Sequence, residues 1–154
     1  MSVEIERKFL VKGDRWRSLG AGSRYCQGYI AAGEKTVRVR VVGNQAYLTI
    51  KGPTTGIARL EYEYSIPLAD ALEMLQSLCA PPLIEKMRYR VEWEGFIWEI
   101  DEFEGENQGL IVAEVELTDP NQAIALPDWI GEEVSHDSRY FNANLAKHPF
   151  SRWN

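Results

Sequence analysis

The chain has 154 residues, 45% of them hydrophobic and 26% charged, with a formal net charge of −6. That length suits one domain spanning 1–154, and the composition excludes a disordered chain or a fibre. The acidic balance argues against nucleic acid as a partner, and no apolar run reaches the roughly 18 residues of a membrane helix.

The first eight residues, Met1 to Lys8, are charged from the start and carry no secretory signal. Cys26 and Cys79 stand apart, without a CxxC or a nearby His pair, and read as small buried hydrophobes of a reducing compartment. A cytoplasmic protein is the expectation.

Hydrophobicity alternates with period two over most of the chain, the pattern of strands. Eight are predicted in chain order: 3–11, 24–30, 36–43, 46–51, 58–66, 84–93, 96–103 and 111–118. Gly43-Asn44-Gln45 and Glu94-Gly95 are short enough to make antiparallel hairpins of their flanking strands, and Gly52 to Gly56 forms a longer turn. Leu68, Leu72, Leu75 and Cys79 recur at helical spacing, so a helix is predicted over 69–79, stopped by Pro81-Pro82. A short helix over 120–126, opening at Asp119-Pro120, and a last helix over 138–147 complete the reading. The class is α+β, mainly β, with a few peripheral helices.

Sorting each strand by parity separates its two faces. One face is apolar. The other holds eight acids (Glu4, Glu6, Glu61, Glu63, Glu99, Asp101, Glu114, Glu116) and eight bases (Lys8, Arg38, Arg40, Lys51, Arg59, Lys86, Arg88, Arg90). A solvent-facing sheet surface laced by ion pairs is one explanation. Against it, like charges recur two residues apart, as in Glu4/Glu6, Arg38/Arg40 and Glu114/Glu116. Such neighbours repel unless opposite charge sits among them. Paired carboxylates suit a hard divalent cation, and paired Arg and Lys suit phosphate oxygens. Eight strands also suffice to close an antiparallel β-barrel, which with this face inside is a charged tunnel. Its apolar outer face then needs cover, and incomplete cover points to a homodimer.

Glu4-Ile5-Glu6-Arg7-Lys8 is an ExExK signature, followed in order by Val37-Arg38-Val39-Arg40, Thr49-Ile50-Lys51-Gly52, Glu61-Tyr62-Glu63, Glu85 to Arg90, Asp101-Glu102-Phe103 and Ala113 to Leu117. These blocks resemble the CYTH family, also called triphosphate tunnel metalloenzymes, over nearly the whole chain. The resemblance implies an eight-stranded tunnel and metal-dependent hydrolysis of inorganic tripolyphosphate to pyrophosphate and phosphate. Alternatives on the same fold are a class IV-like adenylate cyclase, a nucleoside or thiamine triphosphatase, and a polyphosphate-binding module without turnover. It implies Mg²⁺ or Mn²⁺ on Glu4, Glu6, Glu61, Glu63, Asp101, Glu114 and Glu116. Lys8, Arg38, Arg40, Lys51, Arg59, Lys86, Arg88 and Arg90 become a clamp for a small polyanion, with Lys8, Glu63 and Asp101 acting in catalysis. Tyr25, Gln27 and Tyr29 share one parity and either line the tunnel mouth or pack in its wall. His136 and His148 read as surface histidines, and the aromatic tail from Phe141 to Trp153 either plugs one end or packs on the wall.

Overall fold

The computed structural model describes residues 3–153 and consists of nine strands and two α-helices joined by short 3₁₀ turns. The strands are β1 (Val3–Val11), β2 (Ala21–Ala32), β3 (Thr36–Val42), β4 (Gln45–Lys51), β5 (Ala58–Ile66), β6 (Ile84–Trp93), β7 (Phe96–Phe103), β8 (Ile111–Glu116) and β9 (Ile130–Glu133). Helix α1 spans Leu68–Ser77 and α2 spans Asn142–Lys147. The order β5-β4-β3-β2-β6-β7-β8-β1, with β5 pairing back onto β1, closes an antiparallel barrel of eight strands. β9 is a ninth strand outside that ring. It pairs with β1 at Phe9 and Val11, on the edge whose first part, Val3 to Ile5, is taken by β5.

Local sequence explains the hairpins. Trp93 pairs with Phe96 across a two-residue turn, and Glu94 and Gly95 both adopt positive φ, at 51° and 81°. Such a turn has the twist that antiparallel strands need, and Gly95 adopts its conformation without steric cost. β3 (TVRVRVV) alternates β-branched residues with arginines, so one face packs while the other carries charge.

Three apolar clusters hold the barrel. Phe9, Val91, Trp98, Ile100 and Val115 point outward and are covered by Trp16, Trp129 and Ile130. α1 lays Ala71 and Leu75 over Val39 and Ala46 on the outside of β3 and β4. Its C-terminal end presses so close to β2 that a Cβ on Gly28 would lie 2.8 Å from Cβ of Cys79. The third cluster is inside. Ile84, Phe103 and Val112 share the inward parity of Lys86, Asp101 and Glu114, and meet Tyr140 and Leu145 of the tail there.

The structure departs from the sequence reading in four places. β2 extends beyond 24–30 at both ends, through Gly22-Ser23, which carry no strand signal. Residues 120–126 form no helix: Asp119 Oδ1 accepts from the Asn121 backbone N–H, and Gln122 Oε1 accepts from the Thr118 N–H. These side-chain bonds offer the backbone an alternative to a helical turn. β9 was not predicted, because four residues containing a glycine and two glutamates show no alternation. The tail is a 3₁₀ turn at Ser138–Tyr140 and then α2, broken at the extended Phe141 (φ −70°, ψ 134°) rather than continuous over 138–147.

Candidate active site

The barrel interior is a cavity of about 550 Å³. All of the predicted site residues line it except two. Arg90 is exposed two residues beyond Arg88 and stays out of the cavity, and Asp101 is buried in the wall behind it. Glu99, the remaining acid of the charged face and the weakest of its ligand candidates, also lines it.

Strand order sets the charges across from one another. β5, β1 and β8 are neighbours and carry Glu61, Glu4, Glu6, Glu114 and Glu116 inward. β3, β2 and β6 lie opposite in the ring and present Arg38, Arg40, Lys86 and Arg88. Parity gives the shared face but not which strands meet across it.

On the acidic wall, Glu4 receives Lys51 Nζ at 3.0 Å and Arg59 Nε at 3.5 Å. Burial raises the Glu4 carboxyl, but Lys51 and Arg59 outweigh it and leave the pKa lowered. Lys8 Nζ stands 3.5 Å from Glu114. Burial works against charge on Glu114 too, yet Lys8, Arg88 and Lys86 hold its carboxyl well below the usual range. Glu6 differs. Among the described residues no cation makes a salt bridge to it, and burial, with Glu114 and Glu4 nearby, pushes it well above the usual range. Glu61 and Glu116 are raised as well, by burial and by neighbouring carboxylates.

On the basic wall, Asp101 organises two cations. Arg88 grips it with Nε and Nη2 at 2.7 and 2.8 Å, and Lys86 Nζ donates to it at 2.7 Å. Lys86 also donates to Asn142 Oδ1 at 2.9 Å. Arg40 donates to Gln27 at 2.8 Å, and Gln27 in turn donates to Asn142 at 3.2 Å. Tyr25 lies beneath both Arg40 and Arg88. Arg38 donates to Thr49 at 3.1 Å and to Glu63 at 3.4 Å, while its Nε is buried without a partner. Burial and the positive charge of Arg38 and Arg88 lower Arg40 to about 9. Crowded cations of this kind favour an anion among them.

The tail contributes to the site. Lys8 Nζ donates to the Tyr140 carbonyl at 3.3 Å and stands over the Phe141 ring, and Ser138, Phe141, Asn142, Ala143 and Asn144 line the cavity. The plug is thus the alternative that holds. The signal was the run of apolar residues in a tail too short to form a second core. Tyr25 and Tyr29 line the cavity, whereas Gln27 sits in the wall supporting Arg40. His136 and His148 are exposed, as expected, and Cys26 and Cys79 are free thiols beneath α1. Among the described residues no helix is long and apolar enough to cross a membrane.

The donor set fits a hard divalent cation in its chemistry, since it is all carboxylate oxygen and includes Glu6, a carboxylate without a cationic partner. It is not a finished cage: among the described residues no three acid, histidine or cysteine side chains converge closely enough to hold an ion unaided. Octahedral ions of this type keep several waters and draw further ligands from phosphate oxygens, so few protein donors are needed.

A closed antiparallel barrel with facing acidic and basic inner walls defines a tunnel for small polyanions. The chain belongs to the CYTH family, whose CYTH domain matches residues 2–150. It is 54% identical over 154 residues to a protein of Acetivibrio thermocellus named inorganic triphosphatase, covering 99% of both chains. A second relative of that name, from Nitrosomonas europaea, is 37% identical over 149 residues, covering 94% of this chain and 97% of the relative. The crystal structure of an inorganic triphosphatase superposes with a TM-score of 0.67 at 33% identity, over 92% of this chain and 96% of that one.

Proposed function

We propose that the protein is a metal-dependent inorganic triphosphatase that cleaves tripolyphosphate to pyrophosphate and phosphate inside the barrel. The observation that carries the reading is the facing of the two walls, with the unpartnered Arg38 Nε buried on the basic side and, on the acidic side, Glu6, which among the described residues no cation bridges. A linear polyphosphate has the charge for the first, and a divalent metal bound with it would supply the charge for the second. Two relatives named for this activity, each aligned over nearly the whole chain, support the choice of inorganic triphosphate.

In this reading Arg38, Arg40, Lys86 and Arg88 hold the phosphate chain, with Lys8, Lys51 and Arg59 reaching it from the acidic wall. Tripolyphosphate then lies extended between two fixed sets of charges, so little reorganisation is required as negative charge moves onto the leaving pyrophosphate. Asp101 acts through others: it fixes the orientation of Arg88 and Lys86. Glu4, Glu6, Glu114 and Glu116 would hold Mg²⁺ or Mn²⁺, with Glu61 and Glu63 beside them. When bound, the ion supplies Lewis-acid polarisation of phosphate oxygens and water. In this reading Glu63, whose carboxylate accepts from Thr49 and Arg38, orients the attacking water, and the phosphoryl group passes to that water without a covalent intermediate. Arg90 steers substrate at the rim rather than clamping it. The cytoplasm, where two free thiols persist, is the proposed compartment.

Phosphate release from tripolyphosphate, ATP and pyrophosphate, each with Mg²⁺, Mn²⁺ or EDTA, tests this. Rapid metal-dependent release from tripolyphosphate alone is expected. Preference for ATP redirects the assignment to a nucleotide enzyme, and binding without release to a non-catalytic module.

A further inference from the structure

Asn142 enters the cavity from the tail, and its neighbours fix which way its amide faces. A guanidinium can only donate, so the Gln27 atom that Arg40 Nε meets at 2.8 Å is the amide oxygen. Gln27 therefore turns its NH2 group to Asn142, at 3.2 Å, and the atom that receives it is Asn142 Oδ1. Lys86 Nζ donates to the same oxygen at 2.9 Å. Both lone pairs of that oxygen are thus engaged with the wall, which leaves the NH2 group on the other side of the amide. Among the described residues this nitrogen has no hydrogen-bond partner, although Asn142 lines the cavity beside Lys86, Arg40 and Arg88. Asn144 also lines the cavity, but its NH2 group is taken by the Ser138 carbonyl at 2.8 Å.

We propose that the NH2 group of Asn142 donates to a phosphate oxygen of the bound polyphosphate, which makes Asn142 a substrate-binding residue supplied by the tail. The inference takes its ligand from the triphosphatase reading. The chemistry around the nitrogen selects the acceptor. Among the crowded cations of the basic wall a further donor or cation is disfavoured, and an anionic oxygen is favoured. The amide adds what the cations lack: it is neutral, and it donates along a fixed direction. It is also held ready. Gln27 is fully buried behind it, the fully buried Leu145 seats α2, and Lys147 ties the end of that helix to the Ala32 carbonyl at 2.7 Å. Little ordering is left to be done when the ligand arrives. Two donors on its oxygen, one of them a lysine, polarise the amide and strengthen its N–H groups as donors.

Proton–nitrogen correlation NMR of the full chain in metal-free buffer, with tripolyphosphate added to saturation, tests this on the wild type. The Asn142 side-chain NH2 signals are expected to shift, and signals that stay in place overturn the proposal. Calorimetric titration of two variants separates contact from bracing. Asn142→Ala should bind tripolyphosphate at least tenfold more weakly, the scale of a hydrogen bond to a charged group. Asn142→Asp keeps an oxygen for Gln27 and Lys86 but has no donor, and should bind no better than the alanine variant. Wild-type affinity in Asn142→Asp would make the residue a brace for Lys86 and Gln27 and overturn the proposal. Phosphate release by the wild type judges the triphosphatase reading separately: tripolyphosphate bound with the NH2 shift but never cleaved would sink that reading and uphold this contact.

Discussion

The ammonium of Lys86 lies 2.7 Å from Asp101 and 2.9 Å from the side-chain oxygen of Asn142, so one buried cation ties β7 and the C-terminal tail to the basic wall. Arg88 already neutralises Asp101 with two short bonds. Burial, aided by Arg88 and Arg40, therefore prevails and lowers Lys86 to about 7.

A consequence follows for binding. At pH 8 the free protein holds Lys86 largely neutral, whereas a polyanion beside it favours the charged form. Tripolyphosphate binding should take up protons at Lys86, and affinity should fall as pH rises from about 7 toward the unperturbed 10.5. Calorimetric titration at pH 8 in buffers of different ionisation heat measures the uptake. It should be larger in the wild type than in Lys86→Met, which cancels the ligand's own titration. Equal uptake in both would refute the assignment.

Glu6 makes the opposite prediction about stability and activity. Its charge is opposed by burial and by Glu114 and Glu4, so Glu6→Gln should leave the metal-free melting temperature unchanged or higher. Turnover should drop by about 10²–10³-fold, the scale of losing one electrostatic contact to the reacting group. Melting without metal and phosphate release across a metal titration are the two readouts. A lowered melting temperature with intact turnover would make Glu6 a structural residue.

Gly28 reports on the seat of α1. Alanine there must displace the Cys79 Cβ and Leu83, both 2.8 Å from the added atom. Overpacking of this kind costs roughly 1–3 kcal/mol. At about 2–4 °C per kcal/mol for a chain of this size, calorimetry should show a lower melting temperature.

Leu145 reports on the plug. It is fully buried against the inward-facing Ile84, Phe103 and Val112. Leu145→Ala should cost about 2–5 kcal/mol. Because α2 carries Asn142 onto Lys86 and Gln27, the variant should also raise KM for tripolyphosphate, while exposed Lys147→Ala should leave KM alone.

Much of this site was legible before the fold was known, for a specific reason. A strand that carries Arg38 and Arg40 between Val37, Val39 and Val41 declares its two faces by period alone, and closing the barrel turns that face into a lining. Strand adjacency carries no such mark. Nothing in the residues of β2 and β6 announces that they pair across more than fifty intervening positions. The opposition of acidic and basic walls therefore had to come from topology. Asp101 shares parity with Glu99, yet only coordinates show Arg88 and Lys86 closing over it. β9 and the broken tail helix were hidden because they are short, and tertiary pairing rather than periodicity holds them.

β1 spends its edges on three partners: β8 on one side, β5 and then β9 on the other. Two of these lie more than a hundred residues downstream. A ribosome that has released only the first half of the chain has made β1 and β5, which pair over Val3 to Ile5, but neither β8 nor β9 to hold the rest of β1. The acidic wall thus comes together only when the chain is nearly finished, through contacts of long sequence separation that form slowly. A truncated product lacking β8 and β9 would keep ExExK and both arginines of β3, yet it would have no enclosed chamber in which to hold a phosphate chain.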